Sequence, residues 1–267
     1  MKVKEFEEYL VKRRKEFAKK FGQEINELGQ EEGLKIGSPD AEVTGILVTW
    51  MMTKEAIAEA AKQKCSLILC HETPWFGDNW NTKNPSIPLW RVNNERKDLA
   101  LENSLNVIQC HSTLDEILIT DTFGEFLGLP KPSIQAWRLI NIYDIPALPL
   151  KKLADQVKKK TGLKTIRVTG NMNRKVSKVG LIYGGIGLSI NLGFWEGQLK
   201  WNPEVLIAGE MDEYAMRYAI DNYICAIETT HPVSEEPGLE KFCEELKQDL
   251  PGMKVAFHRV GMSWNYV

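Results

Sequence analysis

The sequence predicts an α/β protein made of two lobes, each with a mostly parallel sheet. Short apolar runs such as residues 66–70 and 105–110 have the length of buried strands, and segments with helical periodicity alternate with them. A strand, a helix and a further strand in succession favour a parallel sheet. An irregular segment at 128–150, which holds four of the twelve prolines, divides two such patterns. We therefore expect one lobe at 1–130 and a second at 131–267.

The first lobe is predicted to open with a long charged helix and to continue as alternating strands and helices. Its expected elements are a helix at 4–30, a turn at 33–39, strands at 43–49, 66–70 and 105–110, and helices at 54–64, 90–102 and 113–127. Thr53 is the predicted N-cap of the second helix, because its hydroxyl can accept a hydrogen bond from the first helical turn.

The second lobe is predicted to repeat this alternation without a close sequence repeat. Its expected elements are helices at 150–160, 212–222 and 238–248, and strands at 165–169, 178–183, 204–208, 223–229 and 254–259. A glycine-rich turn at 184–187 follows one of these strands, and Gly209-Glu210 follows another.

Composition and charge place the chain among ordinary globular proteins. It has 267 residues, 43% hydrophobic and 26% charged, and a formal net charge of −2. This balance argues against nucleic acid or an anionic membrane as the main partner. The charged N-terminus lacks the apolar core of a signal peptide, and no apolar run approaches the ~20 residues of a membrane-spanning helix. We expect a cytoplasmic protein whose five cysteines are reduced and mostly in the core.

The histidines are few, and most of them follow predicted strands. Of the four in the chain, three come just after a buried strand, namely His71, His111 and His231, whereas His258 lies inside the last strand. Ligands of open α/β sheets bind beyond the carboxyl ends of the strands. The three histidines are therefore candidates for one functional site.

Each of these three histidines has a carboxylate close to it in sequence. The carboxylates are Glu72, Asp115 and Glu235, which follow their histidines by one, four and four residues. Imidazole and carboxylate ligands suit divalent ions such as Zn, Mn or Fe. Two ions about 3.5–4 Å apart could share the ligands and activate a water molecule. A single histidine at a strand end is more often a hydrogen-bonded structural residue, but three with carboxylates favour a two-metal site.

Three glycines and a group of aromatic residues each allow two interpretations. Gly184, Gly185 and Gly187 could direct backbone N–H groups at the phosphate of a cofactor or substrate, although a tight turn is the commoner reason for such glycines. The aromatic residues surround the loop after His71 and could stack on a base or form a subunit interface; they are Trp75, Phe76, Trp80 and Trp90.

Cys70 and Cys110 could in principle be soft metal ligands, since each directly precedes a candidate histidine. Side chains alternate along a strand, so each thiol is expected to point away from the histidine beside it. We favour core packing for both cysteines.

Six short segments follow one another in an informative order. They are Gly33-Leu34-Lys35-Ile36-Gly37, His71-Glu72-Thr73-Pro74-Trp75-Phe76, His111-Ser112-Thr113-Leu114-Asp115, Gly184-Gly185-Ile186-Gly187, Gly209-Glu210 and Thr230-His231-Pro232-Val233-Ser234-Glu235. In order and approximate spacing they resemble the motifs of the Nif-three-like family, also called the GTP cyclohydrolase I type 2 family. Two positions depart from that pattern: the family has a second histidine where this chain has Glu72, and a glycine where it has Thr230. The loop at 77–88 looks like an insertion relative to the family pattern.

The resemblance implies a ring-shaped homo-hexamer with two metals in a cleft between two α/β lobes. The metal ligands that it implies are His71, Asp115, His231 and Glu235, with Glu72 in the place of the second family histidine. A carboxylate there would make the site harder and shift its preference towards Mn or Fe. His111 is expected near the metals, as a further ligand or as a proton-transfer group.

These observations leave three hypotheses for function. The first is a hydrolase of a nucleotide-like small molecule, GTP cyclohydrolase-like by resemblance, in which His111 or Glu210 assists proton transfer. The second is a metal-binding, metal-delivery or scaffold protein without catalytic activity. A catalytic site keeps an open coordination position and a structural site does not, which separates the two. The third is a metal-free nucleotide binder that uses the glycine turn.

Overall fold

A computed structural model describes residues 1–77, 87–136, 139–265 and 267. The chain divides into two compact units, Met1–Leu118 with Leu239–Val260, and Ile119–Gly238 with Gly261–Val267. The sequence predicts a single boundary near residue 130. The observed division differs because the C-terminal strand, Lys254–His258, pairs with the strand Gly45–Thr49 of the first unit.

Helices and strands alternate along much of the described chain, as the sequence predicts. The α-helices are α1 (Val3–Lys19), α2 (Lys54–Gln63), α3 (Arg91–Glu102), α4 (Ser112–Leu114), α5 (Thr120–Leu127), α6 (Leu150–Thr161), α7 (Leu192–Leu199), α8 (Glu213–Asp221) and α9 (His231–Asp249). The strands are β1 (Gly33–Ile36), β2 (Gly45–Thr49), β3 (Leu67–Cys70), β4 (Asn106–Gln109), β5 (Ile134–Ala136), β6 (Ile140–Pro149), β7 (Arg167–Thr169), β8 (Lys175–Ile182), β9 (Val205–Ala208), β10 (Cys225–Glu228) and β11 (Lys254–His258). In the part of the chain that the structure describes, the pairs β1-β2, β5-β6 and β7-β8 have no helix between them. Within the described ranges, no helix combines the length and the apolar character that crossing a membrane requires.

The first unit is built on a five-stranded sheet in the order β1-β4-β3-β2-β11. The pairs β4-β3, β3-β2 and β2-β11 are parallel, and only the edge strand β1 is antiparallel to its neighbour. Strands β2, β3 and β4 are buried along their whole length, which explains the mostly apolar sequences of β2 and β3. Thr53 caps α2 as predicted, because its side chain accepts a hydrogen bond from the Ala56 amide.

The second unit is built on a six-stranded sheet in the order β5-β6-β8-β9-β10-β7. Its central pairs β8-β9 and β9-β10 are parallel, whereas the pairs β5-β6, β6-β8 and β10-β7 are antiparallel. The prediction of a mostly parallel sheet is therefore correct for the first unit, while the second sheet is mixed. Strands β9 and β10 are buried throughout and form its centre.

The predicted irregular connector at 128–150 is wrong over much of its length, because β5 and β6 occupy it. The four prolines of this segment favour an irregular connector in the sequence, but two of them lie within β6. Pro146 falls where the pairing of β6 with β8 shifts between Asp144 and Leu148, and Pro149 is the last residue of β6. A proline at an irregularity or at a strand end removes no essential ladder hydrogen bond.

Two helices and one turn also differ from their predicted bounds. Helix α1 ends at Lys19 rather than near residue 30, and Gly22 soon after it has a φ of +66°. Residues 33–36 form strand β1 within the predicted turn. Helix α9 begins at His231, seven residues before the predicted start. Pro232 is tolerated there because the first helical turn has no intrahelical partner for its amide.

Candidate metal centre

His71 is held in one orientation at the end of β3. The side chain is fully buried, and its Nδ1 atom lies 3.2 Å from the carbonyl oxygen of Cys110. A carbonyl only accepts hydrogen bonds, so Nδ1 must carry the proton. In the neutral ring, Nε2 then has a lone pair, and this atom lies 3.6 Å from Oδ1 of Asp115. Metal-binding histidines are commonly fixed in this way.

Glu72 and His111 face each other just beyond the ends of two neighbouring strands. Strands β3 and β4 run parallel with Cys70 opposite Gln109, so the residues that follow them are brought side by side. The Nε2 atom of His111 lies 3.8 Å from Oε1 of Glu72 and 3.8 Å from Oδ2 of Asp115. Potential ligand atoms of His71, Glu72 and His111 all lie within 4.8 Å of one another.

Asp115 begins a π-helical turn, Asp115–Ile119, that interrupts the helical segment after β4. Such turns are frequent at functional sites, because they alter the direction of the side chains they carry. The next residue, Glu116, accepts hydrogen bonds from two nitrogen atoms of Arg14, at 2.8 and 3.0 Å. This two-point contact fixes the start of the turn, and with it the position of Asp115.

Two carboxylates that the sequence does not identify as site residues, Glu31 and Glu32, contact this part of the first unit. Oε1 of Glu31 lies 3.5 Å from Nδ1 of His111. Burial alone would raise the pKa of Glu31, but hydrogen bonding to His111, to its own backbone and to Ser112 lowers that pKa to about 2. Glu32, which is buried, accepts hydrogen bonds from the amide and the hydroxyl of Thr113 at 2.8 and 2.6 Å.

The residues of the first unit fit a divalent metal ion in their donor chemistry. They bring two imidazole nitrogens and the carboxylates of Glu72 and Asp115 together, a nitrogen and oxygen set that suits Zn, Mn or Fe. A lone pair on Nε2 of His71 facing a carboxylate oxygen is unfavourable unless a cation or a proton lies between them. These buried histidine and carboxylate groups could therefore hold a metal ion.

The second unit presents a similar arrangement around His231, the first residue of α9. Its Nδ1 atom lies 3.2 Å from Oε2 of Glu210, and its Nε2 atom lies 3.3 Å from Oε1 of Glu235, one helical turn further on. Glu210 follows β9 and is about half exposed. The histidine thus again has an outer acceptor on Nδ1 and a buried carboxylate facing Nε2.

The glycine turn at 184–187 packs directly against these side chains. A Cβ atom on Gly184 would lie 1.8 Å from Oε1 of Glu235, and one on Gly187 would lie 2.3 Å from the carbonyl oxygen of Glu210. The amide of Gly184 donates to Oγ of Ser234 at 2.8 Å. Close packing therefore explains glycine at both positions, and phosphate binding by Gly184, Gly185 and Gly187 stays a prediction.

Thr230 has an unusual backbone conformation directly before His231. Its φ is +105°, in a region that glycine favours and that is strained for a β-branched residue. Its amide donates to the carbonyl of Gly209 at 2.8 Å, which keeps the chain in place where β10 ends. The strain therefore lies between a buried strand and the first residue of α9.

The aromatic residues that the sequence groups together differ in their exposure to solvent. Trp75 is 3% exposed and lies in the core of the first unit, so it is not available to stack on a ligand. Phe76 is 40% exposed, and the Arg96 guanidinium covers one face of its ring at 4.3 Å. Trp90 is 54% exposed at the start of α3. Trp80 lies outside the described residues.

The cysteines that precede two of the histidines are core residues, in agreement with the preferred interpretation. All five cysteines are buried thiols. Burial raises the pKa of Cys70 to about 12 and raises that of Cys110 well above its usual value. Both side chains are therefore neutral thiols under ordinary conditions, which argues against a role as thiolate ligands.

Comparison with known proteins agrees with the resemblance seen in the motifs. A family model described as Duf34/NIF3 (NGG1p interacting factor 3) matches residues 1–264. A protein of Clostridium acetobutylicum named GTP cyclohydrolase 1 type 2 homolog is 24% identical over 245 residues, which cover 86% of this chain and 84% of that protein.

Solved structures share the fold over the full length of the chain. The crystal structure of Staphylococcus aureus hypothetical protein SA1388 has a TM-score of 0.77 at 16% identity and covers 100% of this chain and 99% of its own. The structure of protein ybgI, described as of unknown function, has a TM-score of 0.76 at 19% identity and covers 98% of this chain and 99% of its own. At these identities the likeness establishes the fold alone.

Proposed function

This chain belongs to the Duf34/NIF3 family, and we propose that it is a metal-dependent hydrolase of a nucleotide-like small molecule. Relatives that cover most of the chain carry the name GTP cyclohydrolase 1 type 2 homolog, which suggests a purine nucleotide as the first substrate to try. Since a shared fold does not fix an activity, the proposal depends on the side chains of the site.

The observation that carries the proposal is the orientation of His71. The Cys110 carbonyl occupies Nδ1, and the opposite nitrogen faces the Asp115 carboxylate. An ordinary structural histidine in its neutral form donates one hydrogen bond and accepts another. This one directs an acceptor at an anion, inside a buried group that also contains Glu72 and His111.

We assign metal binding in the first unit to His71, Glu72 and Asp115. Two divalent ions, Zn, Mn or Fe, would supply Lewis acidity that polarises the substrate and makes a water molecule acidic near neutral pH. His111 is the most exposed of the candidate residues in the first unit, at 27%, and it would bind a metal or accept a proton from the reacting water. From the family resemblance, His231 and Glu235 are further ligands, with Glu210 as a second proton acceptor.

A second candidate function is metal binding without catalysis. It is favoured by the burial of the inner residues, because His71, Glu72 and Asp115 are 0, 3 and 5% exposed. A closed ligand set of this kind is typical of structural metal sites, whereas catalytic sites keep an open position. The exposure of His111 favours the catalytic alternative. A homo-hexameric assembly stays a prediction from the resemblance.

Hydrolysis by metal-reconstituted protein tests the choice between these functions. The chain would be stripped with a chelator, reloaded with Mn²⁺, Zn²⁺ or Fe²⁺, and incubated with GTP and a panel of other nucleotides, with products separated by chromatography. We expect turnover in proportion to bound metal, its loss in Asp115→Asn, and its retention in His258→Gln, which changes a histidine outside the metal-ligand groups. Loaded protein that hydrolyses none of the panel would overturn the hydrolase proposal in favour of non-catalytic binding.

A further inference from the structure

Glu31 lies opposite His111 because of the pairing between β1 and β4. These strands run antiparallel, with Gly33 opposite Gln109. Two residues before Gly33 and two after Gln109, the same register places Glu31 beside His111. The contact therefore follows from the sheet itself and not from a long flexible side chain that happens to reach the histidine.

A second carboxylate anchors the segment that carries Glu31. Glu32 accepts hydrogen bonds from the Thr113 amide at 2.8 Å and from the Thr113 hydroxyl at 2.6 Å, and it also accepts one from the amide of Gly29. Glu31 itself accepts from the Ser112 amide at 3.4 Å. The loop before β1 is thereby tied to the two residues that follow His111, which keeps Glu31 and the imidazole in register.

The contact determines which nitrogen of His111 carries the proton. The pair is Oε1 of Glu31 and Nδ1 of His111, 3.5 Å apart. An ionised carboxylate only accepts hydrogen bonds, so the neutral ring is favoured with its proton on Nδ1. The Nε2 lone pair is then directed at the carboxylates of Glu72 and Asp115.

We propose that Glu31 is a positioning residue that fixes His111 as a metal-ligand tautomer, with its Nε2 lone pair directed at Glu72 and Asp115. The inference rests on the proposed metal site and adds to it a residue that the sequence analysis did not identify. Its counterpart at His71 is the neutral carbonyl of Cys110. Because Glu31 is charged, it also makes the His111 imidazole a stronger electron donor than a carbonyl partner would.

The tautomer is measured directly in the metal-free chain. Since the protein has only four histidines, ¹⁵N-labelled histidine gives few long-range ¹H–¹⁵N correlations, and His111→Gln identifies those of His111. At a pH where the ring is neutral, we expect protonated Nδ1 in the parent chain and a shift towards protonated Nε2 in Glu31→Ala. Glu31→Gln should retain much of the parent pattern, because its amide oxygen can still accept from Nδ1. Glu24→Gln, at an exposed position of the first unit, is the matched control.

Metal affinity is the second readout, with Co²⁺ as the probe and its visible absorption as the signal. Loss of an outer hydrogen-bond partner of a metal-binding histidine lowers affinity by about 10–100-fold. We expect a loss of that size in Glu31→Ala, a smaller one in Glu31→Gln and none in Glu24→Gln. Unchanged His258 correlations show that each variant is folded.

The two readouts distinguish failure of this inference from failure of the metal site. A His111 tautomer that is the same in the parent chain and in Glu31→Ala would overturn the positioning role, whatever the metal does. A parent chain that binds no Co²⁺ but shows the tautomer shift would overturn the metal site while retaining the control of His111 by Glu31. Parent-like Co²⁺ affinity in Glu31→Ala would also contradict the proposal.

Discussion

His71 and Asp115 face each other across 3.6 Å, and the histidine atom in that contact is Nε2. The proton of the neutral ring is on the other nitrogen, because the Cys110 carbonyl lies 3.2 Å from Nδ1. Two acceptors therefore meet in a fully buried position. A bound cation resolves this conflict without protonating the imidazole, and for that reason the contact is central to the proposed function.

Replacement of Glu72 by histidine should change the metal preference of the site. Glu72→His exchanges a carboxylate that lies 3.8 Å from His111 for the imidazole that the family resemblance expects there. Imidazole favours Zn over Mn more than a carboxylate does. In competition between equal concentrations of Zn²⁺ and Mn²⁺, we expect a higher ratio of bound Zn to bound Mn in the variant, measured by elemental mass spectrometry. An unchanged ratio would mean that Glu72 does not bind the metal.

Thr230→Gly should stabilise the protein. A residue held in a sparsely populated conformation such as the φ of +105° at Thr230 costs of order 1–3 kcal/mol, whereas the additional unfolded-state entropy of glycine costs about 0.5–1 kcal/mol. We expect a net gain of about 1 kcal/mol in the free energy of unfolding by urea titration. Thr230→Ala, which keeps a Cβ atom in the same conformation, is the control and should gain much less. Equal effects of the two substitutions would contradict the assignment of strain.

Gly184→Ala should destabilise the second unit and displace Glu235. The new methyl group would lie 1.8 Å from Oε1 of Glu235, at a φ of +54°, and overpacking of this kind costs about 1–3 kcal/mol. Gly193→Ala is the matched control, because a Cβ there contacts nothing within 4 Å and alanine favours helix α7 by up to about 1 kcal/mol. Thermal unfolding should show a lower Tm for the first variant and an equal or higher Tm for the second. A tolerated Gly184→Ala would show that the close packing is not required.

The buried thiols should resist modification until the pH is strongly alkaline. Burial raises the pKa of Cys70 to about 12 and that of Cys243 to about 11, from a usual value of 9.0. Because these folded-state pKa values lie above the unfolded value, the thiol form favours folding below pH 9, and this contribution is lost as the pH rises towards 11 and 12. A thiol reagent at pH 8 should label none of the five cysteines in the folded chain and all five after denaturation. Rapid labelling of the folded chain at pH 8 would contradict the burial of these residues.

The sequence predicts the central strands well and the edges of the sheets poorly. Strands β2 and β3 are mostly apolar runs because both faces are buried, and that signal is contained in a few adjacent residues. Strand β1 is only partly buried, and β6 contains two prolines, so neither stands out from a turn by its composition. Strand β1 forms by pairing with β4, and β6 forms by pairing with β8. Such pairing joins residues that are distant in sequence, so a short stretch of sequence does not reveal it.

The same contrast applies to the candidate site. The sequence predicts His71, His111 and His231 as site residues, because the carboxyl ends of parallel strands are a general place for ligands. Glu31 could not be found in this way, since its contact with His111 depends on the antiparallel register of β1 and β4. The hydrogen bond from His71 to Cys110 also escapes sequence analysis, because a carbonyl oxygen is present at every residue.

The metal content of the purified protein tests the proposed site most directly. Elemental mass spectrometry would be applied, after reconstitution and removal of free metal, to the parent chain, to a His71→Ala/His231→Ala double variant and to His258→Ala as a control. A two-metal site predicts about two ions per chain in the parent and in His258→Ala, and a sharp loss in the double variant. A parent chain without metal, or a double variant that retains its metal, would contradict the site and leave these histidines with a structural role.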